Sequence, residues 1–132
     1  MKRLSAGEVD MDVRNFFNDV ISQNREGLKA CFCDDAVIRW HCSNEQFTAD
    51  EYIEANCRYP GSWRGDIERI EECGNVTVLA ARVYPEDGSG SFHVVSFIGV
   101  RDGRISSLDE YWSDDGEAPN WRKELNIGKK IK

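Results

Sequence analysis

The sequence predicts a small α+β domain, with helices first and a curved antiparallel sheet after them, folded around one aromatic-lined pocket. Apolar residues recur at intervals of three and four in the first part of the chain, which indicates helices that face a core. From Trp63 onward the interval changes to two, and turn signals divide this part into strands. A length of 132 residues suits one domain with a single core.

The first two helices are predicted from capping and periodicity. Ser5 and Glu8 have the spacing of a capping box, so the first helix is expected to begin there. Its core-facing residues are Val9, Val13, Phe16, Phe17, Val20 and Ile21. A shorter helix follows residues 22–24 and is expected to end at Asp34, before a strand over residues 36–42.

A third helix and four strands complete the predicted fold. Thr48 and Glu51 form a second capping box, and the helix behind it is broken by residues 59–61. Turn signals are expected at residues 74–75, 85–90 and 102–103. The strands that they separate, which are expected to form a meander, lie near residues 63–73, 76–84, 91–101 and 104–112.

The strand near residues 91–101 is apolar on both faces. One face carries Phe92, Val94 and Ile98, and the other carries Val95 and Phe97. Three helices cover only one face of such a sheet, so the second face needs another cover. We expect a homodimer through this outer face, with the C-terminal tail as the alternative.

Charge and hydropathy exclude some partners. The 17 basic and 24 acidic residues give a formal net charge of -7, which disfavours binding to a phosphate backbone. No window approaches the roughly 20 apolar residues of a membrane span, and residues 1–13 lack the apolar run of a signal peptide. We therefore expect a soluble, cytoplasmic protein with neither nucleic acid nor membrane as a partner.

The cysteines and motifs favour neither a metal nor a cofactor. An odd count of five cysteines without a CxxC pair suits reduced thiols in the cytosol. A zinc site from Cys31, Cys33, His41 and Cys42 is conceivable, but its spacing matches none of the usual ligand patterns. The chain has no phosphate loop, dinucleotide fingerprint, HExxH motif or serine nucleophile elbow.

Several segments in order carry a family resemblance. The main one is DGRISSLDEYWSDD, residues 102–115, behind FHVVSF, and it is supported by the strand DDAVIRWH and the capped third helix. From the first helix to Trp112 the chain resembles the nuclear transport factor two-like superfamily, and within it the SnoaL-like branch of polyketide cyclases and ketosteroid isomerases.

The resemblance implies a shape and a pocket. Proteins of this superfamily are cones in which three helices pack into a strongly bent sheet, here a mixed, mostly antiparallel, cystatin-like α+β roll. It implies a single SnoaL-like domain over residues 1–132, with residues 113–132 as a C-terminal tail. The pocket would lie at the open end, and the same cone hosts isomerases, cyclases, dehydratases and binding modules.

The resemblance also bears on chemistry. Where ketosteroid isomerases keep their carboxylate base this chain has Trp40, and the place of their oxyanion-stabilising Asp falls on Ser96, so their mechanism is disfavoured. SnoaL-like cyclases have an acid-base Asp beyond the last strand and His on the pocket strands. Asp114 or Asp115, with His41 and His93, could have those roles.

Strand alternation suggests which residues face the pocket. If Trp40, Ser96 and Trp112 point inward, so do Ile38, Val94, Ile98 and Glu110. Desolvation would raise the pKa of Glu110 toward a range useful for proton transfer, while the alternative is an ion pair with Arg82 or Arg104. His41 could act as a base, although alternation directs it to the opposite face.

Two functions remain open at this point. The first is a cofactor-independent cyclase, isomerase or dehydratase acting on a small, partly apolar molecule, with Glu110, His41 and Asp114 as catalytic candidates. The second is a non-catalytic module for ligand binding or dimerisation. In either case the expected ligand-binding residues are Trp40, Trp63, Ser96, Ile98 and Trp112. The tail is expected to fold back over the sheet or the pocket, anchored by Trp121.

Overall fold

Four helices and six strands follow one another along residues 11–132, the part of the chain that the structure, a computed structural model, describes. The helices are α1 (Val13–Ser22), α2 (Arg25–Cys31), α3 (Ala49–Cys57) and the short α4 (Asn120–Lys123). The strands are β1 (Phe32–Trp40), β2 (Glu45–Thr48), β3 (Trp63–Cys73), β4 (Val76–Pro85), β5 (Phe92–Arg101) and β6 (Arg104–Asp114).

The helix starts follow their caps. Helix α1 begins later than predicted, because Asp12 is its N-cap and accepts hydrogen bonds from the backbone of the first turn; the predicted box of Ser5 and Glu8 lies outside the described residues. The second box is confirmed. The Thr48 hydroxyl accepts from the Glu51 backbone N–H at 3.2 Å, and the Glu51 carboxylate accepts from the Thr48 N–H at 2.9 Å.

The sheet has the order β2-β1-β6-β5-β4-β3. Strands β3 to β6 form the predicted antiparallel meander, joined by hairpins at the predicted turns. Strand β1 pairs parallel with β6, and the short β2, which the sequence pattern did not indicate, pairs antiparallel with β1. The fold is therefore α+β with a curved, open, mixed and mostly antiparallel sheet, as expected.

Strand β1 differs from its prediction at both ends. It begins at Phe32 and runs through Asp34 and Asp35, which were expected to separate helix from strand. Its register with β6 is irregular between Phe32 and Val37, so the two exposed aspartates bulge away from the ladder. At the other end it stops at Trp40, because residues 41–43 form a single 3₁₀ turn.

The helices pack on one face of the sheet and form the core with it. Along β5, the side chains of Val94, Ser96 and Ile98 are buried beneath the helices, while Val95 and Phe97 face outward. Helix α1 lies close to β3 at Gly65, where a β-carbon would come within 2.5 Å of the Phe17 ring. Alternation along each strand therefore separates an inner face from an outer face.

The tail returns to the sheet at its last residue, where Lys132 Nζ lies 3.7 Å from a Glu68 carboxylate oxygen of β3, but its predicted anchor is wrong. Trp121 lies on α4, a single helical turn, and 62% of its surface is exposed. Its ring contacts the guanidinium group of Arg122, 5.4 Å from the ring centroid. Four residues offer too little apolar surface to hold a helix against the sheet, so Trp121 does not anchor the tail. Within residues 11–132, no helix has the length and apolar character needed to cross a membrane.

Candidate functional site

A cavity of about 370 Å³ opens where α1 and α3 approach the ends of β1, β3, β5 and β6. Its aromatic lining consists of Trp40, Tyr59, Trp63, Phe92 and Trp112. Its polar lining consists of Gln23, Cys42, Ser43, Glu45, Asn56, Ser113 and Asp114. The cavity is thus mostly aromatic, with a few polar groups around it.

The structure divides the predicted site residues into three groups. Those that line the cavity are Trp40, Trp63, Trp112 and Asp114. Those that share the inner face but lie beneath the lining are Ser96, Ile98 and Glu110, all of them buried. His41 belongs to neither group, because it lies on the outer face of the sheet. Alternation gave the face of each strand residue correctly but not its depth.

Glu110 is buried beneath two tryptophans, with 4% of its surface exposed. Its Oε1 atom accepts hydrogen bonds from the indole N–H of Trp40 at 3.1 Å and from that of Trp112 at 3.3 Å. Its Oε2 atom accepts one from the Ser96 hydroxyl at 2.5 Å. Glu110 thereby joins β1, β5 and β6 beneath the cavity.

The pairing of the strands explains this convergence. Trp40 is opposite Glu110 in the parallel ladder of β1 and β6, and Ser96 is opposite Glu110 in the antiparallel ladder of β5 and β6. Trp112 lies two residues further along β6 and so shares the same face. The constellation depends on β6 lying between β1 and β5.

Burial raises the pKa of Glu110, although the hydrogen bonds from Ser96, Trp112 and Trp40 act in the opposite direction. The alternative expectation, an ion pair with Arg82 or Arg104, is wrong: within the described residues Glu110 has no basic partner. Arg82 instead donates to the Ser91 hydroxyl at 2.8 Å. The carboxyl group is therefore held by neutral donors only.

Packing fixes the two aromatic walls of the cavity. Trp40 makes edge contacts with Phe47 and Tyr52, at ring-centroid distances of 4.7 and 6.0 Å. On the other wall Trp63 lies between Tyr59 and Phe92, at 5.3 and 5.8 Å. Its indole N–H donates to the Pro60 carbonyl oxygen at 3.1 Å. Each ring is therefore held by the protein itself.

The polar lining was mostly missed from the sequence. The Gln23 side-chain nitrogen donates to the Asn56 and Tyr59 carbonyl oxygens at 2.9 and 2.8 Å, which brings the end of α1 to the end of α3. The Asn56 side chain donates to the Val20 carbonyl oxygen at 3.1 Å. Tyr59 belongs to a segment that was interpreted only as a chain break. No local pattern marks residues whose position depends on two helices meeting.

Both histidines lie on the outer face. The His41 ring stacks on Tyr111, at a centroid distance of 4.5 Å, and its Nε2 is 2.8 Å from an Asp109 carboxylate oxygen. His93 lies between Asp115, at 2.5 Å, and Glu68, at 3.2 Å. The hydrogen bond with Asp115 is the main cause that raises the pKa of His93. His41, a candidate base that alternation directed away from the pocket, does lie on the opposite face, since β1 ends at Trp40 and the next side chain points outward.

The cysteines are unpaired, and burial raises the pKa of the Cys31 thiol to about 11. Its sulfur lies 3.2 Å from the Gly27 carbonyl oxygen. Between residues 11 and 132 there is no group of three His, Cys, Asp or Glu side chains arranged to hold a metal ion. The hypothetical zinc ligands therefore do not converge in the structure.

Comparisons with known proteins place this geometry in a wider group. The family description of the SnoaL-like domain matches residues 13–108. A protein of Kribbella flavida that is named as a ketosteroid isomerase has a TM-score of 0.76 at 22% identity, over 91% of this chain and 87% of that chain. An NTF-2 like protein of unknown function from Burkholderia xenovorans has a TM-score of 0.73 at 20% identity, over 91% of this chain and 92% of that chain.

A third similar structure contains a small ligand. It is a hypothetical protein of Catenulispora acidiphila with a ketosteroid isomerase-like fold, in complex with trimethylamine. Its TM-score is 0.65 at 14% identity, over 75% of this chain and 82% of that chain. No curated protein matches the sequence. At these identities the solved structures demonstrate the fold alone.

Proposed function

Since this chain belongs to the SnoaL-like domain family, we propose that its cavity binds a small, partly apolar organic molecule. The observation that carries the proposal is the buried Glu110, which accepts hydrogen bonds from Trp40 and Trp112 behind the cavity wall. Burying a carboxyl group is unfavourable, and buried carboxyl groups with shifted pKa values are concentrated at functional sites. Here it holds two cavity-lining indoles in one orientation.

A preformed wall favours binding because fewer side chains have to be ordered when a ligand arrives. The volume of about 370 Å³ is near the lower end of the range for small-molecule sites, which is roughly 300–1,000 Å³. The protein of Catenulispora acidiphila, which has a similar fold, was solved in complex with a small organic molecule. This supports a ligand in the cone without identifying the one bound here.

Binding can be tested with the tryptophans themselves. We expect ligand-observed NMR with a set of small neutral aromatic fragments to detect binding to the wild-type chain. Trp63→Ala removes a cavity ring and should abolish the binding, whereas Trp121→Ala, in the exposed tail, should retain it. Equal binding by both variants, or no binding by the wild type, would contradict the proposal.

Catalysis is the second candidate, and one observation favours it. Of the three candidate proton carriers, Asp114 is the one that lines the cavity, directly opposite Phe92 in the ladder of β5 and β6. A carboxylate at hydrogen-bond distance from a bound ligand can remove or return a proton without a cofactor. We therefore propose Asp114 as the acid-base residue of an isomerase, cyclase or dehydratase, with Glu110 as a positioning residue.

The test of catalysis follows the fate of a bound molecule. Once a ligand has been recovered from the purified protein, mass spectrometry after incubation should show conversion by the wild type. Asp114→Asn should abolish conversion and retain binding, while Asp87→Asn, on a loop outside the cavity lining, should convert normally. If the ligand is bound but never converted, the chain is a binding module.

The outer face of the sheet is proposed as a homodimer interface. Val95, Phe97 and Tyr111 project from it with 36%, 41% and 45% of their surfaces exposed. Sedimentation velocity should give the mass of a dimer, and Phe97→Lys should reduce it to that of a monomer. Leu125→Lys, which changes an exposed apolar residue of the tail, should leave the dimer intact. A monomeric wild type would exclude this interface.

A cytoplasmic location is also proposed, from the unpaired thiols. Cell fractionation with an antibody against the native protein would test it. Recovery in a membrane or secreted fraction would contradict it.

A further inference from the structure

We propose, building on the binding function above, that the cavity selects a small organic cation such as an alkylated amine. The charge of the lining, the aromatic rings and the direction of the hydrogen-bond donors all favour a positive ligand over a neutral or negative one of the same shape.

The aromatic rings form the first part of the argument. Trp40 and Trp112 line one wall, and Tyr59, Trp63 and Phe92 line the other. The face of an aromatic ring is electron-rich and attracts an organic cation, most strongly for tryptophan and most of all where water is excluded. Rings on two sides give a rounded ammonium group several aromatic side chains to contact at once.

Hydrogen-bond donors form the second part. The indole N–H groups of Trp40 and Trp112 donate to Glu110, and that of Trp63 donates to the Pro60 carbonyl oxygen. None of the three is directed at a ligand. An anion in this cavity would lose its water and find few donors to replace it, which is unfavourable.

The amide of Gln23 strengthens the same preference. Its nitrogen donates both hydrogens to backbone carbonyl groups, those of Asn56 and Tyr59. The amide oxygen is then the atom that remains for a ligand, and an oxygen accepts hydrogen bonds. The negative end of the amide dipole therefore remains for a ligand on this side of the cavity, which favours a cation, with or without N–H groups, over an anion.

Charge forms the third part. Glu45 and Asp114 are the ionisable carboxylates of the lining, and the lining contains no Lys, Arg or His. Within residues 11–132 neither carboxylate forms an ion pair. Each is exposed, so each alone contributes little to affinity. Together the two carboxylates attract a cation to the exposed part of the cavity and repel an anion.

The two carboxylates of the lining each lie next to one of its aromatic rings. Glu45 is opposite Trp40 in the ladder of β1 and β2, and Asp114 is opposite Phe92 in the ladder of β5 and β6. Each acidic residue thus lies beside a ring of the cavity. When Glu110 is ionised, its hydrogen bonds with two indoles also polarise those rings and make their faces more negative.

Three probes of nearly the same shape test the inference. Choline carries a positive charge, 3,3-dimethylbutan-1-ol is its neutral isostere, and 3,3-dimethylbutanoate carries a negative charge. We expect calorimetric titration to give a dissociation constant for choline about tenfold lower than for the alcohol, the ratio that roughly one cation–π contact supplies. The anion should show no saturable heat.

Variants separate the contributions. Trp63→Leu keeps an apolar group but removes an aromatic ring. It should therefore weaken the binding of choline more than the binding of the alcohol. The double variant Glu45→Gln with Asp114→Asn should lower the ratio of the two affinities about threefold. Glu72→Gln, a matched exposed carboxylate at the far end of β3, should keep the ratio unchanged.

The outcomes distinguish the two levels of the proposal. If the alcohol binds as tightly as choline, or the anion binds better, the cation preference is wrong while the binding function stands. If none of the three probes binds, the cation preference is wrong and the binding function loses support as well. A preference for choline that Trp63→Leu and the double variant leave unchanged would place the cation outside this cavity.

Discussion

Replacing Glu110 with glutamine tests whether the buried carboxyl group is as unfavourable as its surroundings imply. The change keeps an oxygen for the indole donors of Trp40 and Trp112, and the Ser96 hydroxyl can turn to accept from the new amide. Size and hydrogen bonds are thus nearly conserved. What the variant lacks is the ability to become charged.

The expected effect depends on pH, and its sign follows from burial. Burial raises the pKa of Glu110 above its ordinary value of 4.5, so the folded chain holds this proton more tightly than the unfolded chain does. The stability linked to the proton is fully present below pH 4.5 and is lost as the pH rises through the raised pKa. The glutamine variant has no such loss.

The size of the stability difference between wild type and variant follows from the change in the proton affinity of Glu110 on folding. At low pH both side chains are neutral, so the two free energies of unfolding should agree within about 1 kcal/mol. At high pH each tenfold rise in proton affinity of the folded state destabilises the wild type by about 1.4 kcal/mol relative to the variant. With a urea slope of about 1–3 kcal/mol per molar, the midpoints should separate by roughly 0.5–1.4 M for each tenfold change.

Urea denaturation of both proteins at several pH values from acid to alkaline measures the difference directly. The two stability curves should converge at low pH and separate as the pH rises, with the variant the more stable. Parallel curves would refute the reasoning, because they would mean that Glu110 has the same proton affinity folded and unfolded. Glu110→Ala should instead lower stability at every pH by about 3 kcal/mol or more, because three donors lose their acceptor.

Three further results are expected. Gly65→Ala should lower the free energy of unfolding by about 1–3 kcal/mol, because its β-carbon would meet α1 side chains at 2.5–2.9 Å, whereas Gly90→Ala, with open space around it, should unfold like the wild type in a thermal melt. Iodoacetamide should alkylate the exposed Cys42 much faster than Cys31, whose thiol has a pKa of about 11; equal rates by mass spectrometry would contradict the burial of Cys31. The wild type should lose stability as the pH rises above 6.5 through the raised pKa of His93, and His93→Gln should lack this loss; a loss of the same size in the variant would show that other groups cause it.

Features of the fold that depend on neighbouring residues could be predicted from the sequence. The strands of the meander begin and end within two residues of their expected positions, because alternation and turn residues act locally. The capping box at Thr48 is equally local. Strand β2 was missed since its four residues are too short for a period, and the parallel pairing of β1 with β6 has no local signal at all.

In the candidate site, too, features set by neighbouring residues could be predicted and features set by distant residues could not. Alternation put Trp40, Glu110 and Trp112 on one face, where they lie. It could not show that Glu110 lies beneath the two indoles, because depth depends on how the helices close over the sheet. His41 was placed among the candidates by residue type, yet a turn begins there and the side chain points outward. Trp121 lacked the apolar neighbours that an anchor requires.

The parallel pairing of β1 with β6 also determines when the cavity can form. Trp40 and its acceptor Glu110 are 70 residues apart in the chain, and all of β3, β4 and β5 lie between them. Closing so long a loop is slow, so β1 has to wait for the last strand before it gains more than the four-residue β2 as a partner. During synthesis Trp40 therefore emerges early and remains without its acceptor until almost the whole chain has been made. A chain that stopped at the β5–β6 turn would contain every aromatic residue of the cavity lining except Trp112, but it would lack the carboxyl group that accepts from Trp40.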